Sequence, residues 1–201
     1  MRAFGAGCCS ALTSVDFAHT GLCDASVVAL AAQCARLTTI NLFLCNRVTS
    51  VGVSAIAAGC PRLQSLNIGS EADTVGCDAL VSLARSCPAL HTLNVAGRVH
   101  RRCLITDDVV EALCKCSFSL RTLDLSYCAV TQRSVVALAA ARFAQRLQSV
   151  DFTCTDVEST ALLEHLCPRA KVAGGAPPPP PPSASRGGSG QRRRPNKCAI
   201  L

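Results

Sequence analysis

The residues best equipped for covalent chemistry stand at the end of the chain. Cys198-Ala199-Ile200-Leu201 is a cysteine, two aliphatic residues and a terminal residue. That is the pattern a prenyltransferase alkylates on sulfur, and a terminal Leu points to a geranylgeranyl group. One lipid alone holds a protein weakly on a bilayer, and a polybasic patch supplies the second attachment. Arg192, Arg193, Arg194 and Lys197 lie immediately upstream, each worth about 1 kcal/mol near an anionic leaflet. The tail therefore reads as an anchor to the cytoplasmic face of a membrane, with Cys198 lipidated. Two other readings of the same cations stay open: nuclear import and nucleic-acid binding.

Little else in the sequence suggests reactivity. His19, His91, His100 and His165 share no common setting, and no Gly-rich phosphate loop is present. No catalytic residue, small-molecule substrate, metal or cofactor is expected, the covalent lipid aside. Cys114-x-Cys116 lacks the second ligand pair that zinc needs. The 15 cysteines are instead periodic. Cys34, Cys60 and Cys87 each precede a Leu by three residues, while Cys45 and Cys128 each follow an apolar anchor by three. Such cysteines read as small buried hydrophobes with reduced thiols. Charge divides sharply: acidic and basic residues balance over 1–168, so the net +7 arises in residues 169–201. A neutral body argues against a nucleic-acid groove.

The periodicity has a simple source. Leu-x-x-Leu-x-Leu, or a close variant, recurs at Leu12/Val15/Phe17, Leu37/Ile40/Leu42, Leu63/Leu66/Ile68, Leu90/Leu93/Val95, Leu120/Leu123/Leu125 and Leu147/Val150/Phe152. Within one copy, residues 39–43 alternate polar and apolar, the pattern of a short strand with one buried face. Thr49 or Ser50 then caps a helix through Ala58 whose Val53, Ile56 and Ala57 share one side. Gly59-Cys60-Pro61 stops it, with Gly59 expected in the left-handed conformation of a helix end. One copy cannot cover its own apolar face, but stacked copies can.

The alternation also predicts two columns projecting from the strands: Ser14, Thr39, Ser65, Thr92, Thr122 and Ser149, then Asp16, Asn41, Asn67, Asn94, Asp124 and Asp151. Lined by hydroxyls, amides and carboxylates, such a strip suits hydrogen bonding to a protein segment, although solvated strand positions look the same. The fourth copy carries an insertion over 97–103, where Arg98, His100, Arg101 and Arg102 could dock an acidic partner.

At Leu37–Thr49 with Cys60-Pro61-Arg62-Leu63, and at Leu120–Thr131, the chain resembles the cysteine-containing leucine-rich repeats. The resemblance implies an α/β solenoid, a horseshoe of about six repeats with parallel strands on the concave face and helices on the convex face. It is most familiar from F-box/leucine-rich-repeat proteins, substrate receptors of cullin-based ubiquitin ligases. That implies a protein partner on the concave strip and, in a form carrying an F-box, a Skp adaptor and cullin. A free-standing repeat adaptor is the alternative. Only residues 1–11 precede the first anchor, too few for an F-box, so an under-covered N-terminal edge is expected. The organisation read from sequence is thus a short segment 1–11, repeats 12–168, a disordered Pro/Gly/Ser-rich basic linker 169–197 and the box 198–201.

Overall fold

Short alternating segments followed by an apolar helical face dictate a strand and a helix per repeat, and the chain folds accordingly. The structure, a computed structural model, describes residues 11–69, 75–97, 103–117 and 119–175. Its elements are β1 (Ser14–Asp16), α1 (Asp24–Gln33), β2 (Thr39–Asn41), α2 (Ser50–Gly59), β3 (Ser65–Asn67) and α3 (Cys77–Ser86). They continue as β4 (Thr92–Asn94), β5 (Cys103–Thr106), α4 (Asp107–Cys116), β6 (Thr122–Asp124), β7 (Cys128–Ala129), α5 (Gln132–Ala140), β8 (Ser149–Phe152), α6 (Ala161–Leu166) and β9 (Lys171–Gly174). β1, β2, β3, β4, β6, β8 and β9 form one parallel sheet in that order, and β5 pairs with β7. The Leu, Ile, Val and Cys anchors from every repeat merge into a single core. Leu12, Val15 and Phe17 of the first repeat are only partly buried, whereas Leu37, Ile40 and Leu42 are sealed.

Two expectations need correction. The repeat domain does not end at Pro168, because Lys171–Gly174 adds a seventh strand, paired with β8 from Ser149↔Lys171 to Phe152↔Gly174. The signal was weak: Ala170 stands where the other repeats have Leu, and the buried-side Val172 follows it one residue early. Residues 171–174 of the supposed linker therefore belong to the sheet.

Gly59 also has a different job. It is the last residue of α2, and the cap with φ −123° is Cys60. A Cβ at Gly59 would lie 2.4 Å from the Ala31 carbonyl oxygen. The position is glycine because α1 and α2 pack backbone to backbone there, not because the chain turns left-handed.

The starts of α2, α3, α5 and α6 are each held by the repeat before. Asp24, at the start of α1, accepts hydrogen bonds from the Thr49 amide (2.8 Å), the Thr49 hydroxyl (2.7 Å) and the Gly52 amide (2.9 Å). Asp107 does the same for α5, accepting from Thr131 N (2.9 Å) and Oγ1 (2.7 Å) and from Ser134 N (3.1 Å) and Oγ (2.5 Å). Ser50 accepts from Gly76 N at 2.7 Å, and Gln132 from Ser159 N at 3.2 Å. A helix N-terminus leaves amides unsatisfied and carries partial positive charge, which a carboxylate answers best. Stacking is thus fixed by polar contacts along one edge as well as by the core.

Candidate protein-binding face

The strand register brings the predicted columns together residue on residue. Ser14, Thr39, Ser65, Thr92, Thr122 and Ser149 align from β1 to β8, and so do Asp16, Asn41, Asn67, Asn94, Asp124 and Asp151. Successive members stand about 4.8 Å apart. From the second repeat onward both columns are half-buried.

The two columns differ chemically. In every repeat the Asp or Asn Oδ1 accepts the amide two residues on: Ala18 (2.9 Å), Phe43 (3.1 Å), Gly69 (3.1 Å), Ala96 (2.9 Å), Ser126 (3.0 Å) and Thr153 (2.7 Å). These Asx turns end the strands. The Ala18 amide and then the Asn41 side chain hold the Asp16 carboxyl below its usual range. Asn94 Nδ2 donates to Asp124 Oδ2 at 2.8 Å, joining neighbouring repeats. One residue past four of these turns the chain enters the left-handed region, at His19 (φ 58°), Leu44 (60°), Tyr127 (59°) and Cys154 (58°). The amides of His19, Leu44 and Tyr127 donate to the next repeat's Phe43, Gly69 and Thr153 carbonyls at 2.8, 3.0 and 2.9 Å. The Asp/Asn column is therefore built into the turn, with one side-chain atom per residue committed to it.

A third column went unread in the sequence. One residue before each strand stand Thr13, Thr38, Gln64, His91, Arg121 and Gln148, and Lys171 of β9 extends the hydroxyl column beside them. Thr13, Gln64, Arg121, Gln148 and Lys171 are exposed. The alternation rule passes over this position because it lies before the strand proper. Arg98, His100, Arg101 and Arg102 lie outside the described residues, as do Arg192, Arg193, Arg194, Lys197 and Cys198.

A family model for the leucine-rich repeat matches residues 33–57 and 116–139, the two copies whose Cys and Thr spacing is most regular. The fold is that of a leucine-rich-repeat protein. The solved structures similar to this leucine-rich-repeat chain include a chain of the yeast Rad7–Elc1 complex, 22% identical with a TM-score of 0.59, covering 77% of this chain and 40% of that one. An internalin from Listeria monocytogenes is 17% identical with a TM-score of 0.54, covering 84% of this chain and 49% of its own. The chain spans less than half the length of each. No curated protein matches the sequence.

The repeat cysteines fill the core as the spacing predicts. Cys87 Sγ donates to the Cys60 carbonyl at 3.4 Å, and Cys45 Sγ to the Phe17 carbonyl at 3.0 Å. Burial pushes the Cys60 and Cys87 thiols up to about 11 and Cys114 to about 12. Cys154, by contrast, is disulfide-bonded, although Cys167 of the same repeat is a buried free thiol. Cys23, at the start of α1, has its thiol held below the usual range by the Ser26 amide and hydroxyl. Since the thiolate is the nucleophile, brief iodoacetamide treatment of the native protein at neutral pH is expected to label Cys23 well before Cys60, Cys87 or Cys114. Equal labelling by peptide mass spectrometry would contradict that order.

Proposed function

We propose that the chain is a protein-recognition scaffold. The concave strip contacts the partner through the hydroxyl column and the column preceding it, while a geranylgeranyl group on Cys198 and the cations at 192–197 tether the scaffold to a membrane. The observation carrying the recognition half is the division of labour between columns. The Asp/Asn column is occupied in holding its own turns, whereas the Ser/Thr hydroxyls and Gln64, Arg121 and Gln148 present polar groups over six strands in register. A partner laid across them meets a donor or acceptor about every 4.8 Å. Asn67 and Asp151 contribute their second polar atom at the rim, while Asp16 with Asn41 and Asn94 with Asp124 spend theirs on each other, and Arg98, His100, Arg101 and Arg102 supply an adjoining cationic loop.

A link to ubiquitin-dependent degradation is the finer part of this reading. It is supported by the repeat type and by the fold shared with a chain of the Rad7–Elc1 complex. Affinity purification from cells with the tail intact, probed for a Skp adaptor and cullin, tests that link, and absence of both leaves a free-standing adaptor. Fractionation of wild type against Cys198→Ser tests the tether: the variant is expected to move from membrane to cytosol, and an unchanged distribution sinks it.

A further inference from the structure

The balanced charge of the repeats hides a strong spatial separation. Because every strand of the main sheet runs parallel and each helix returns the chain, all helix-to-strand connections lie along one edge of the solenoid and all strand-to-helix connections along the other. The helix-to-strand edge is basic. Arg36, Arg62, Arg146 and Arg169 sit in its connecting loops, and Arg85 and Lys115 in the last turns of α3 and α4, all exposed. Arg121 and Lys171 carry the charge onto the strand starts. Among the described residues, only Arg47 and Arg133 place an Arg or Lys elsewhere, and the one carboxylate near this edge is Glu164 in the short helix α6, which accepts from the Thr160 hydroxyl. Most of the other described carboxylates occupy helix starts (Asp24, Asp78, Asp107, Asp108), strand ends (Asp16, Asp124, Asp151) and the strand-to-helix connection before α6 (Asp156, Glu158). Cations at helix C-termini and anions at N-termini each reinforce the helix dipole, so the fold sorts the charge at no cost to stability.

We infer that this basic edge is a docking surface for an anionic bilayer and sets the protein's orientation on it. Two features point to a lipid surface. The cations form a row running from the first repeat to the last, which suits an extended plane of headgroups. The edge also shares its sign with the tail cations, so body and tail are drawn to the same surface. The tail leaves at the opposite edge, where Gly175 lies against Thr160, but residues 176–198 can extend up to roughly 75 Å, enough to pass the body. Docked on this edge, the solenoid stands with its strands upright and its concave strip facing sideways, open to a partner on the same membrane. The inference adds orientation to the tethering proposed above and does not require the lipid on Cys198.

The test uses the full chain made in bacteria, which leaves Cys198 unmodified, sedimented with vesicles at about 0.1 M salt. Wild type is expected to partition onto phosphatidylserine-containing vesicles and not onto pure phosphatidylcholine. Arg36→Glu/Arg62→Glu/Arg146→Glu is expected to weaken that partition on the order of 100-fold. Arg192→Gln/Arg193→Gln/Arg194→Gln/Lys197→Gln leaves a component that the edge substitutions then remove. Should the glutamate variant lose its helical circular dichroism, the triple Arg→Gln version gives the same readout. Partition unchanged by the edge substitutions, or lost entirely with the tail cations, overturns the inference. So does binding to single-stranded RNA that is tighter than to vesicles and equally sensitive to the edge, which would assign the row to nucleic acid. A Cys198→Ser failure in cells alongside success here would sink only the lipid tether.

Discussion

Asp107→Ala is expected to cost about 3 kcal/mol of stability, because one buried carboxylate holds the α4–α5 joint by accepting from Thr131 and Ser134 through both backbone and side chain. Asp107 is 7% exposed, so the alanine variant leaves those donors facing a dry gap. At roughly 2–4 °C per kcal/mol for a chain of this size, thermal melting should fall by about 10 °C. Burial by itself pushes the Asp107 carboxyl up, but the hydrogen bonds from Ser134 and Thr131 outweigh it and hold the group below its ordinary value. The sign follows from that lowered value. The contribution is complete above the unfolded carboxyl's range near pH 4 and is lost as pH falls through the folded value. The wild-type advantage over Asp107→Ala should therefore be constant at neutral pH and shrink only in acid; an advantage that grows on acidification would contradict the assignment.

Gly59→Ala is expected to destabilise by about 2 kcal/mol even though alanine is the better helix former. Its Cβ would sit 2.4 Å from the Ala31 carbonyl oxygen and 2.8 Å from the carbonyl carbon, both backbone atoms that cannot swing aside. α1 must move from α2, and the strand register between β1 and β2 moves with it. Gly21→Ala, where nothing lies within 4 Å, serves as the control and should melt within a degree or two of wild type. Equal melting of the two variants would mean that helix packing is looser than described.

Much of this architecture could be read directly, since a two-residue alternation repeated six times leaves no doubt about which side chains face the core and which face out. The role of the outward column could not. Asp and Asn at these positions look like a binding surface in a list of residues, and only the turn that follows shows Oδ1 turned back to the backbone two residues on. Gly59 was misread for a related reason: a glycine near a helix end is usually conformational, whereas this one yields space to a neighbouring helix that the sequence does not display. β9 escaped because Ala170 replaces the anchoring leucine and the spacing closes by one residue. The charge separation was invisible in a sum of zero, and became legible once the parallel register put every connection of one kind on one edge.

The most direct test of the recognition strip leaves the turns intact and blocks only the surface beside them. Thr39→Arg/Ser65→Arg/Thr92→Arg places three long cations on adjacent strands of the hydroxyl column without touching Asn41, Asn67 or Asn94. Affinity purification from cells should recover partners with wild type and lose them with this variant, at unchanged melting temperature. Recovery of the same partners at the same yield by the blocked strip would contradict the account.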